Sequence, residues 1–64
     1  MSHFDYETSK EIILEDPPFY ALIMAAMHMA DSDNVILLAN AFPEVWTELS
    51  RRYQGPGGLL DGET

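Results

Sequence analysis

Apolar positions recur along this chain with the period of a helix, and nowhere with the strict alternation of a strand. From Phe19 to Ala30 the residues are almost all apolar, and Phe19, Leu22, Ile23, Ala26, Met27 and Ala30 follow the i, i+3, i+4, i+7 spacing of one helix face. That face is the expected core. The opposite side, with Ala21, Met24, Ala25 and His28, lacks the carboxylates, lysines and arginines that coat a surface helix, so the segment expects cover on both sides. Asp16-Pro17-Pro18 precedes it. Asp16 is placed to accept from the first free backbone N–H groups, and Pro17 suits a first helical turn, where its missing N–H has no helical role. The pattern predicts a central helix over 17–30.

Before it, Tyr6, Ser9, Ile12 and Ile13 share one arc of a helix predicted over 5–15, capped by Ser2 or Asp5, with residues 1–4 as a frayed lead-in. Glu7, Glu11 and Glu15 form a second arc of like charges at i, i+4 steps, where they repel by a few tenths of a kcal/mol per pair, only partly relieved by Lys10. The proline pair ends this helix and forces a sharp turn, because a residue preceding proline is pushed out of the α region.

Asp31-Ser32-Asp33-Asn34 reads as a turn that also offers a cap to a third helix over 34–42, with Val35, Leu38, Ala39 and Phe42 on its inner arc and Ile36 and Leu37 off it. Pro43 opens a fourth helix over 43–54. It is cleanly amphipathic: Val45, Trp46, Leu49 and Tyr53 face inward, Glu48 and Arg52 form an i, i+4 pair, and Arg51 and Arg52 sit where a helix C-terminus favours positive charge. Gly55 is placed as a left-handed stop. The remaining stretch, 55–64, is expected to be a mostly flexible tail whose Leu59 and Leu60 either fold back onto the bundle or dock on a partner.

Composition sharpens this picture. At 64 residues the chain is a single domain that buries only about 60% of its unfolded surface. Without cysteine it has no disulfide to stabilise so small a core and no thiolate metal site, which leaves association with another chain or an unusually apolar interior. The formal net charge of -8 is the wrong sign for binding nucleic acid directly. The apolar run of the second helix falls short of the roughly 20 residues that cross a bilayer. The acidic start MSHFDYE does not read as a signal peptide, and the lack of cysteine fits a cytoplasmic location.

Catalytic chemistry is not apparent. His3 lies in the lead-in, and His28, three residues before Asp31, could form an imidazole–carboxylate pair but has no nucleophile beside it. Asp31-Ser32-Asp33 fails as a calcium loop, since Ile36 stands where glycine is needed and Phe42 where glutamate is needed. Turn and cap roles account for both aspartates without a metal. Gly55-Pro56-Gly57-Gly58 follows a helix and lacks the Gly-Lys-Ser/Thr ending of a phosphate loop. The expectation is a chain that is not an enzyme and holds no cofactor or metal.

Two features remain as candidate function. Tyr20, Met24, Met27, His28, Ile36 and Leu37 form a surplus apolar surface, rich in adaptable methionine, of the kind that marks a protein interface. Asp5, Glu7, Glu11, Glu15 and Asp16 form an acidic face whose spacing of about 6 Å per i, i+4 step approaches the separation of nucleic-acid phosphates. Further, Glu15-Asp-Pro-Pro-Phe-Tyr-Ala-Leu-Ile-Met-Ala-Ala-Met, Ala41-Phe-Pro-Glu-Val-Trp-Thr-Glu-Leu-Ser-Arg-Arg-Tyr and the Gly-Pro-Gly-Gly end resemble short uncharacterised acidic helical proteins of phages and of bacteria carrying mobile elements. The resemblance implies an accessory or host-takeover protein and assigns no residue a role.

Together these readings predict an all-α fold, a compact bundle of four short helices around the central second helix. Its expected work is to bind a protein with a basic surface, with nucleic-acid mimicry and a homodimer without a separate client as the alternatives.

Overall fold

Ser2 opens the first helix. Its hydroxyl accepts from the Asp5 N–H at 3.1 Å while the Asp5 carboxylate accepts from the Ser2 N–H at 3.0 Å, a reciprocal cap that satisfies two orphan donors. The structure, a computed structural model, describes residues 2–60 and 62–63, and among them it contains α1 (His3–Leu14), α2 (Phe19–Met29), α3 (Ser32–Ala41) and α4 (Pro43–Gln54), then a 3-10 turn at Pro56–Gly58, and no strand. The expected all-α, four-helix fold is thus what forms. The lead-in is shorter than expected: the cap makes His3 and Phe4 helical, while Met1 lies outside the described residues.

The α1–α2 joint differs from expectation. Asp16 does not cap α2. It adopts φ +51, a left-handed turn residue closing α1, and the N-cap of α2 is Pro18, with no side-chain hydrogen bond. The cause lies in the doubled proline. Pro17 precedes Pro18 and is therefore kept out of the α region, which delays the helix to Phe19. At the next joint the expectation holds: the Asp31 carboxylate accepts from the Asn34 N–H at 2.9 Å, and α3 begins two residues sooner than predicted, at Ser32.

Phe42 serves two helices. Its N–H donates to the Leu38 carbonyl at 2.8 Å, and its own carbonyl accepts from Trp46 N–H at 3.0 Å, so it closes α3 and opens α4, with Pro43 in the first turn of α4 as expected. Its ring meets that of Phe19 edge-on at 6.0 Å, tying the start of α2 to the α3–α4 joint.

Helices α2, α3 and α4 pack pairwise on one another, and α4 also carries the turn at Pro56–Gly58. Met27 of α2, 4% exposed, is the one buried hydrophobic side chain among the described residues, which places α2 at the centre of the packing. Among the described residues, helix α1 joins the bundle only through the chain and meets no other element. The molecule measures 42 × 27 × 16 Å with a radius of gyration of 13.6 Å, against about 11 Å for a compact domain of this length.

Among the described residues, Gly58, Leu60 and Glu63 of the tail are linked to one another and to α4 by hydrogen bonds. Arg52 donates to the Gly58 carbonyl at 3.0 Å and to Glu63 through both terminal nitrogens, and the Leu60 N–H donates to Glu63 Oε1 at 2.9 Å. Leu60 folds back, one of the two expected placements, lying beside Pro43, Thr47 and Glu48, whereas Leu59 stays exposed. Gly55 is not the left-handed stop. It is extended at φ -81 and ψ 144, and Gly57 and Gly58, at φ 64 and φ 71, make the reversal instead.

Candidate interaction surface

On α2 and its C-cap, the residues that turn inward are only half of the expected face, with Met24 added to it. Ile23, Met24, Met27 and Ala30 are shielded, while Phe19, Leu22 and Ala26 are exposed. The helix carries two apolar rows of identical spacing: Tyr20, Ile23, Met24 and Met27 on one side, and Leu22, Ala25, Ala26 and Met29 on the other. Ile23, Met24 and Met27 of the first row pack, because they present more apolar area to α3 and α4 than a row containing two alanines, while Tyr20 at its start stays 57% exposed. The second is left open to solvent, ending in Met29 at 87% exposed, and it carries no charge.

The proposed binding residues therefore separate. Met27 is enclosed by its own chain and offers no free surface. Met24 is half-buried at the edge of a recess of about 310 Å³ with Tyr20, Val45, Glu44 and Glu48, so two carboxylates border an aromatic and a thioether. His28 is exposed but turned toward the other side of α4, where it lines a cleft with Trp46, Leu49, Ser50 and Tyr53. Ile36 and Leu37 stand free on α3, Leu37 at 66% exposed. Leu22 and Met29 belong with these open residues. Periodicity alone could not single them out, since their row has the same spacing as the packed one.

Helix α4 is also rotated from its expected phase. Val45, Glu48, Leu49 and Arg52 are half-buried, while Tyr53, expected inside, is 83% exposed. The returning tail explains this: Arg52 is drawn inward to Gly58 and Glu63, and its Nε remains 3.5 Å from Glu48, as the i, i+4 spacing predicted. Hydrogen bonding to Arg52 first, and then to the Leu60 N–H, holds the Glu63 carboxyl below the usual carboxylate range. The same hydrogen bond raises Arg52 above the ordinary guanidinium value, with the charges of Glu63 and Glu48 adding to it.

The acidic residues do not form one continuous surface. Asp5 is engaged in the cap with Ser2, and Glu7 lies 3.2 Å from His3 and 3.4 Å from Lys10. At about 100° per residue, Asp5 stands roughly 160° around the helix from Glu7, and Asp16 has left the helix altogether. Among the described residues no three His, Asp or Glu side chains converge as a metal site, and Asp31 is occupied as a cap. No helix among them is long and apolar enough to cross a membrane.

Comparison with protein-family models, with curated proteins and with solved structures finds no match to this chain.

Proposed function

We propose that this chain is a small acidic, non-enzymatic module that binds another protein through its uncovered apolar surface. One observation carries the reading. The accessible area is 5501 Å² for a chain of 7.2 kDa, whereas a folded monomer of that mass exposes about 4,100 Å². Ile36, Leu37 and Tyr20 supply apolar contact area, and Glu44 and Glu48 beside the Tyr20–Met24 recess favour a partner with basic groups at its rim. The resemblance to phage and mobile-element proteins makes inhibition or regulation of a host protein the fitting relationship. Nucleic-acid mimicry has weaker support, because Asp5 and Glu7 are engaged within α1 and neither Asp5 nor Asp16 continues the side that carries Glu7, Glu11 and Glu15.

The test is capture from host extract with wild type, Leu37→Asp, Tyr20→Ala and a Glu7/Glu11/Glu15→Lys variant, each checked for helix content by circular dichroism. A protein retained by wild type and by the lysine variant but lost with Leu37→Asp or Tyr20→Ala supports apolar docking. Retention that only the lysine variant loses supports mimicry instead, and retention indifferent to all three ends the proposal.

A further inference from the structure

We infer that α1 docks on the open row of α2 in a second copy of this chain, giving a two-fold dimer that exchanges its first helices. The inference shares with the protein-binding reading the uncovered apolar area, but it uses different residues and names the occupant. Helix α1 spans 12 residues and, among the described residues, contacts no other element, yet isolated helices shorter than about 12–15 residues are marginal in water even with favourable composition. Its composition is not favourable, since Glu7, Glu11 and Glu15 repel along one side. A stable α1 therefore needs a surface. Its own bundle does not supply one: Asp16 at φ +51 and the two prolines direct α1 away from it.

Area and symmetry select the second copy. The excess of roughly 1,400 Å² over a compact monomer exceeds the about 800 Å² per partner of a standard interface. Tyr6, Ile12 and Ile13 on α1 and Leu22 and Met29 on α2 are all exposed, and the α2 row carries no charge, while on α1 Lys10 lies 5.5 Å over the Tyr6 ring. Each copy offers one of each, so a two-fold axis satisfies both in a closed pair. Two chains of net charge -8 repel, so added salt should tighten this dimer, whereas it would weaken a complex with a basic client.

The experiment is sedimentation equilibrium of the full chain at 10 to 100 micromolar, roughly the range over which a micromolar dimer fills, with isotope-filtered NOE spectroscopy on an equimolar mixture of labelled and unlabelled chains. The expected result is twice the monomer mass, with intermolecular contacts from the Ile12 and Ile13 methyl groups to Leu22 and Met29. Ile13→Asp and Met29→Asp should each yield monomers that lose α1 helicity, while Leu37→Asp should remain dimeric. A monomer with α1 fully helical overturns the inference, as does a dimer that survives both Ile13→Asp and Met29→Asp. Client capture that persists in a Met29→Asp monomer would leave the protein-binding reading standing alone. A dimer lost with Met29→Asp but with no client at any concentration would do the reverse.

Discussion

Arg52 grips Glu63 through two parallel hydrogen bonds, Nη1 to Oε1 at 2.8 Å and Nη2 to Oε2 at 2.9 Å, across eleven residues of sequence. A planar fork meeting a carboxylate is a geometry that lysine cannot reproduce. Arg52→Lys is accordingly expected to release the tail, with severalfold faster hydrogen exchange at the Leu60 amide and little change in the global unfolding midpoint. An unchanged Leu60 amide would show that charge alone holds the tail.

The same contact sets a pH dependence. The Glu63 carboxyl is depressed in the folded chain, so its contribution is fully present above the ordinary glutamate pKa of about 4.3 and is lost as pH falls through the lowered folded value. Tail docking should therefore be constant from neutral pH to about 5 and weaken below about 4. Glu63→Gln should remove that dependence at Leu60, as followed by amide chemical shifts during an acid titration.

Met27 concentrates the packing energy of the bundle. Replacing a buried methionine with alanine costs about 2–5 kcal/mol, while a domain of this length has roughly 3–10 kcal/mol in total. Met27→Ala should lose about 2–5 kcal/mol, and Met27→Leu less than about 1.5 kcal/mol. Urea unfolding followed by circular dichroism would distinguish the two.

The two aspartates that precede helices should behave oppositely. Asp31→Ala removes a cap and should cost about 1 kcal/mol. Asp16 makes no such cap and sits at φ +51, so Asp16→Gly should be neutral or slightly stabilising. Thermal melts of both variants check the contrast.

Gly55 is constrained by proximity, not by dihedral angle. A Cβ there would lie 2.5 Å from the Leu59 carbonyl oxygen. Gly55→Ala should push the tail off α4 at a cost of roughly 1 kcal/mol, the typical size of a single-site effect. It would be read as lost protection at Gly58, whose N–H donates to Gly55.

Element identity was legible in the sequence wherever a local rule operated, as in the caps at Ser2 and Asp31 and in Pro43 at the start of α4. Rotational phase was not. Along α2 both apolar rows satisfy the same spacing, so only the packing of α3 and α4 decides between Met27 inside and Met29 outside. The Tyr53 and Arg52 exchange on α4 has a similar origin, because Glu63 acts on Arg52 from far along the chain. Of the candidate binding residues, the exposure of Ile36 and Leu37 followed from their place off the α3 arc, while Met27, which the sequence placed both on the core face and among the binding residues, lies in the core.

With Phe42 shared between α3 and α4, that elbow has no slack. A turn in its two dihedrals swings the 10-residue α3 as a single lever, and one inserted residue would spin α3 by about 100° relative to α4, carrying Ile36 and Leu37 to another quarter of the surface.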